Sequence, residues 1–219
     1  MLSFTFPAAR PVRRVLALGA HADDIEIGCG ATLLALTRSQ PATEVVWVVL
    51  CGSGERGQEA RASADDVLRT VAESSVEIHE FRDGYLPYVG GDVKDVFEAL
   101  KSRVEPDLIL THTRADLHQD HRLVCELTWN TWRDHLILEY EIPKYDGDLA
   151  SPNVYVPVSK ELASEKIRVV HEYFPSQREK HWFDEELFLG LMRIRGMEAA
   201  SPSGYAEAFT CRKLALLVE

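Results

Sequence analysis

Over the first half of this 219-residue chain, short apolar runs alternate with amphipathic segments, and that alternation admits few folds. Residues 15–19 (Val-Leu-Ala-Leu-Gly) form an apolar run stopped by glycine, the pattern of a buried parallel strand. Residues 28–37 have helical character, and residues 45–50 read as a second buried strand. Residues 59–72 read as a helix with Ala60, Ala64, Val67, Leu68 and Val71 on one face. A third strand is expected over 76–81, a helix over 92–104 ending before Pro106, and a fourth strand over 108–111. Four such alternations predict an open, mainly parallel, Rossmann-like α/β sheet flanked by helices. The second half is less regular and reads as an α+β portion. Short strands are expected at 141–143 and 154–156, near an edge because of their prolines. Helices are expected at 159–172 and 184–195, capped by Ser159 and Asp184, and a last strand within 205–214. No linker, repeat or low-complexity tract divides the chain, so one domain over 1–219 is expected.

In open parallel sheets, ligands bind beyond the carboxyl ends of the strands. Two runs rich in histidine and carboxylate fall at that rim. His21, Asp23 and Asp24 follow the first strand directly, and His112 with His118, Asp120 and His121 follows the fourth. His21 and Asp24 are three apart and share a direction if a turn or helix begins there. His121 could complete a three-ligand set, which leaves the open position of a hydrolytic metal site. Neutral imidazole and carboxylate suit zinc, with iron(II) or another divalent ion as alternatives. Asp23 is placed to act as a general base beside a metal-bound water. His118 could stabilise an oxyanion or protonate a leaving amine, and Asp120 could orient a histidine through its ring N–H. The competing reading makes the aspartates helix caps and the histidines surface groups. Asp116 either contacts substrate or caps a turn. Trp129, Trp132 and Trp182 could include a sugar-stacking ring, or belong to the core.

Bulk composition narrows the partners. Lys and Arg number 24 against 35 Asp and Glu, a net charge of −11, with no basic stretch beyond Arg13-Arg14. That argues against nucleic acid as a partner. The longest apolar run, residues 45–51, is far too short to span a bilayer. The N-terminus lacks a basic region followed by an apolar stretch, so no signal peptide is expected. Four scattered cysteines without a C-x-x-C pair fit a reducing, cytoplasmic setting.

The run Ala20-His21-Ala22-Asp23-Asp24-Ile25-Glu26-Ile27-Gly28 resembles the A-H-P-D-D signature of the LmbE/PIG-L family of metal-dependent de-N-acetylases. Leu110-Thr111-His112 through His118-Gln119-Asp120-His121 resembles the family's second signature, H-x-D-H. The likeness covers roughly the first 135 residues, and residues 204–209 are similar to family endings. Ala22 departs from the usual proline without removing a ligand. The resemblance implies His21, Asp24 and His121 as zinc ligands and Asp23 as general base. It implies His118 as the group stabilising the tetrahedral intermediate, with Asp120 tuning a neighbouring histidine. Arg56, opening an Arg-x-x-Glu-Ala run, looks like the family's substrate-binding arginine, with Arg61 as its rival for sugar hydroxyls or a phosphate.

The expected function is zinc-dependent hydrolysis of an N-acetyl group on an amino sugar or amino-sugar conjugate. An amidase for a larger acyl or thiol conjugate, a non-catalytic ligand-binding module and a phosphodiesterase are the alternatives. A phosphodiesterase commonly needs two metals, and ligands for one are counted here. The apolar residues 214–218 could pair across a homo-oligomer interface or finish the sheet.

Overall fold

The computed structural model describes residues 5–6, 11–40 and 43–215. Thirteen regular elements are described: β1 (Arg14–His21), α1 (Asp24–Ser39), β2 (Glu44–Cys51), α2 (Gly54–Val67), β3 (Ser74–Ile78), α3 (Gly90–Arg103), β4 (Leu108–His112), α4 (Gln119–Thr131), β5 (Leu136–Tyr140), β6 (Val154–Val158), α5 (Lys160–Tyr173), α6 (Glu185–Glu198) and β7 (Tyr205–Thr210). The strands form one sheet in the order β3-β2-β1-β4-β5-β7-β6. β1 to β5 run parallel, and β7 and β6 add an antiparallel edge. Six helices cover the two faces, so the expected α/β class stands.

The apolar runs are buried on both faces because each face carries its own core. Val15, Ala17, Trp47 and Val49 pack on the side of α1, α2 and α5. Leu16, Leu18, Val46 and Val48 pack on the side of α3 and α4. Strand order reverses between β1 and β4, so the crevice beyond their carboxyl ends lies open to a ligand. His21 ends β1 and His112 ends β4.

Several expected boundaries move. The second helix begins at Gly54 rather than 59, because Gly54 takes φ +58° and lets a polar first turn start at the rim. β3 spans Ser74–Ile78, earlier than expected, and Glu80 then makes a lone bridge to Cys51. The strand expected over 141–143 is instead β5, five residues earlier. Glu139 interrupts its apolar pattern, yet that carboxylate is buried against Trp129 Nε1 at 2.6 Å and the Arg114 amide. Pro143 lacks the N–H a ladder needs. The last strand ends at Thr210. Of the apolar run 214–218, residues 216–218 lie outside the described residues, and Leu214 and Ala215 are in no strand.

Helix α1 is broken at Cys29 (φ −146°, ψ 16°), and β7 fills the break. Glu207 accepts from the Ala31 and Thr32 amides at 3.0 and 2.6 Å. Lys166 donates to the Ile27 carbonyl and to Glu207, both at 2.6 Å. The buried ion pair thus caps both cut ends of the helix. One residue before the break, Gly28 lies against the Tyr140 ring, where an added Cβ would come within 2.1 Å of a ring carbon. Tyr140 cannot retreat, because its hydroxyl donates to the Leu18 carbonyl at 2.6 Å. Gly28→Ala is therefore expected to lower stability by about 1–3 kcal/mol, the usual cost of overpacking, measured as a shift in the urea midpoint.

Candidate metal centre

Three electron-rich atoms converge at the rim. His21 Nδ1 lies 3.0 Å from His121 Nε2 and 3.3 Å from Asp24 Oδ2, and His121 Nε2 lies 3.5 Å from Asp24 Oδ2. The far nitrogen of each ring is already committed. His21 Nε2 faces Asp120 Oδ2 at 3.2 Å and Asp83 Oδ1 at 3.1 Å. His121 Nδ1 faces Asp116 Oδ2 at 2.8 Å. A neutral imidazole that donates from one nitrogen presents a lone pair on the other. Two lone pairs and a carboxylate oxygen at these distances repel one another unless a cation lies among them.

The donor set fits a divalent ion such as zinc. Bonds of about 2.0–2.1 Å set neighbouring ligand atoms about 3.3–3.4 Å apart in a tetrahedral site, close to the three edges seen here. The protonation pattern carries the same demand. Burial opposes charge on His21, but the Asp24, Asp120 and Asp83 carboxylates overcome it and hold this imidazole well above its ordinary value. Burial and the neighbouring His112 push His121 down to about 4. Burial likewise opposes the Asp24 charge, yet His121, His112 and His21 outweigh it and keep its carboxyl well below the carboxylate range.

Local structure sets each side chain. Asp23 precedes α1 without a side-chain capping bond and Asp24 opens its first turn, while His118 caps α4, with His121 in the first turn behind it. Both helices point their positive ends at the crevice, which favours anionic groups there. His118 Nδ1 accepts from the Asp120 amide at 3.3 Å, so its proton sits on Nε2. Burial and the nearby His21 lower its pKa and keep the ring neutral. The His21 and His118 rings meet edge to face at 4.8 Å.

Asp23 is 4 % exposed. Its Oδ1 accepts from Arg56 at 2.6 Å, while Oδ2 is buried with no partner among the described residues. Burial raises this carboxyl above the ordinary carboxylate value. Arg56 also donates to Glu59 at 3.0 Å, and Glu59 holds the amide and hydroxyl of Ser176. Arg56 therefore belongs to the rim. Arg61 does not: its guanidinium donates to the Val76 carbonyl, in the middle of β3 and well below the strand ends. Seven residues further along α2 than Gly54, it faces the sheet edge rather than the crevice.

Two residues that the sequence places near the rim without a ring-orienting role stand beside the cluster. Asp116 is 1 % exposed and orients His121; its second oxygen accepts from the His118 amide at 2.8 Å and pairs with Lys144 at 3.0 Å. Its spacing of five before His121 was the available signal, but the same spacing suits a turn cap. His112 stacks on His121, with centroids 3.9 Å apart, and its Nε2 accepts from the Ala20 amide at 3.0 Å. The tryptophans are not sugar platforms. Trp132 is buried, Trp129 donates to Glu139, and Trp182 packs on Phe183 and Phe188.

Comparison with known proteins gives the family and the fold. The family model described as GlcNAc-PI de-N-acetylase (PIG-L) matches residues 16–132, more than half of the chain. The chain belongs to the PIG-L family of deacetylases. It is 28% identical over 173 residues to the uncharacterized deacetylase YaiS of Escherichia coli (strain K12), covering 76% of this chain and 93% of YaiS. Its fold is similar to that of N,N′-diacetylchitobiose deacetylase from Pyrococcus horikoshii, with TM-score 0.69 and 20% identity over 91% of this chain and 84% of that one. It is also similar to that of GalB, the 4-carboxy-2-hydroxymuconate hydratase of Pseudomonas putida KT2440, with TM-score 0.74 and 15% identity over 95% and 99%. Among the described residues, no helix is long and apolar enough to cross a membrane.

Asp116→Ala is expected to weaken zinc binding about 10–100-fold while leaving the fold intact, because outer partners of ligating histidines set ring orientation and basicity. Competition with a chromogenic chelator measures it.

Proposed function

We propose that this chain is a zinc-dependent N-deacetylase that hydrolyses the N-acetyl group of an amino sugar or amino-sugar conjugate. The products are acetate and a free amine. The observation that carries the reading is the buried, unpartnered Oδ2 of Asp23 beside the converging atoms of His21, Asp24 and His121. A carboxylate with one oxygen free and a raised pKa is suited to take a proton from an attacking water.

His21, Asp24 and His121 would hold the ion, which supplies Lewis-acid polarisation of the amide carbonyl and a lowered pKa for water when bound. The chain's own residues do the rest. Asp23 Oδ2 accepts the water proton as the new C–O bond forms, and Arg56 fixes the other oxygen so that the carboxylate keeps one orientation. His118 Nε2–H donates to the developing oxyanion. The same Asp23 proton then serves the departing nitrogen as the C–N bond breaks. Asp120 and Asp116 position the two rings and touch no reacting atom. Arg56, half-accessible at the rim, offers its remaining donor capacity to sugar hydroxyls. All four cysteines are unpaired, as suits a reducing compartment such as the cytoplasm.

Because a hydratase shares this fold, acetate release rather than metal binding decides the reading. Purified protein with one equivalent of zinc is expected to release acetate from at least one member of a panel of free, nucleotide-linked and thiol-conjugated N-acetyl amino sugars. Asp23→Asn should abolish turnover while zinc stays bound. His118→Ala should lower kcat about a hundredfold or more, the usual cost of losing an oxyanion donor. Metal-loaded protein that releases no acetate from any of them would overturn the proposal.

A further inference from the structure

The parallel register of β1 and β2 pairs His21 with Cys51. Register partners on adjacent strands project from the same face of a sheet, so the thiol stands beside the imidazole at the rim. Cys51 is free and 6 % exposed. One His21 nitrogen, Cys51 Sγ and an Asp120 carboxylate oxygen lie within 4.8 Å of one another. A lone bridge pairs Cys51 with Glu80, three residues before Asp83. Asp83 arrives with its Oδ1 3.1 Å from His21 Nε2. Asp120 and Asp83 lie on the Nε2 side of the ring, whereas Asp24 and His121 lie on the Nδ1 side. Deacetylation as derived above makes no use of the thiol.

We propose that Cys51, Asp120, Asp83 and His21 Nε2 form a second divalent-metal site, selective for thiophilic ions, whose occupation switches the enzyme off. The inhibitory consequence rests on the deacetylase reading; the binding site itself does not. Cys51, His21 and Asp120 supply a thiolate, an imidazole and a carboxylate, and Asp83, beside His21 Nε2, can add a fourth ligand that closes the set as in a holding site rather than a reactive one. A soft sulfur donor selects zinc or cadmium over magnesium or manganese.

Binding exchanges protons for metal. The S–H bond of Cys51 breaks as the S–metal bond forms, and the Nε2 proton of His21 leaves as that nitrogen becomes a ligand. Both protons pass to solvent. The hydrogen bond from Nε2 to Asp120 is lost, and with it the contact that aims Nδ1 at Asp24 and His121. Excess zinc therefore disturbs the first site through the shared ring.

The test is stepwise titration of the metal-free full chain with cadmium. Bound ions per chain are read by native mass spectrometry, and thiolate ligation by the ultraviolet sulfur-to-cadmium charge-transfer band. Wild type is expected to take two ions and to show the band. Cys51→Ser should take one ion, show no band, and keep its acetate release at one equivalent of zinc. It should raise the zinc concentration for half-inhibition about tenfold or more, since even an outer partner of a ligand is worth that much. Cys51→Ala provides the same comparison without a hydroxyl. Equal stoichiometry in wild type and both variants, or a band that survives them, overturns the site. A band and second ion that need Cys51, in protein that deacetylates nothing, would uphold the site and count against the deacetylase reading alone.

Discussion

The structure turns on an electrostatic demand at one point, where two imidazole lone pairs and a carboxylate oxygen meet within 3.5 Å. Such a cluster is repulsive until something positive joins it. A proton on His21 meets the demand in part, which is why that imidazole is held far above its usual value while His121 is driven down. A divalent ion meets it better, because one charge centre can face all three atoms together. Burial of Asp24 and His121 sharpens the demand, since water cannot screen the repulsion.

The surroundings prevent the cluster from escaping. Each ring could flip or turn to pair its lone pair elsewhere, but the far nitrogen is tied to a carboxylate that is itself tied down. Asp120 is held by the Gly84 and Leu86 amides at 2.7 and 3.1 Å, and Asp116 by the His118 amide and Lys144. The fold uses four buried acids in two ranks. Asp24 belongs with the histidines, Asp116 and Asp120 stand behind them, and Asp23 faces the crevice with a free oxygen. What separates these roles is hydrogen-bond partnership rather than residue type.

Much of this was legible in the sequence. The apolar runs at 15–19, 45–50 and 108–111 show the parallel core because strands buried on both faces have no polar alternation to obscure them. The two histidine–aspartate runs mark the rim because each follows such a run at once. β5 was hidden because Glu139 looks unfit for a buried strand, and its partners Trp129 and Arg212 come from elsewhere in the chain. Asp116 was ambiguous for a related reason. Whether a loop aspartate caps a turn or orients a ring depends on where the ring lies, and spacing alone carries no direction. Arg61 misled because Arg56 and Arg61 share a helix, and only the start of that helix, five residues before the expected one, shows which of them faces the crevice.

The break in α1 bears on how the protein is made. Ribosomes deliver a chain from its N-terminus, so His21 and Asp24 emerge well before Glu207. Until Glu207 arrives, the Ala31 and Thr32 amides and the Lys166 ammonium lack that carboxylate. The ligand corner thus gains its last support only after β7 has been made. A chain can therefore carry the whole histidine–aspartate motif before β7 latches the helix behind it.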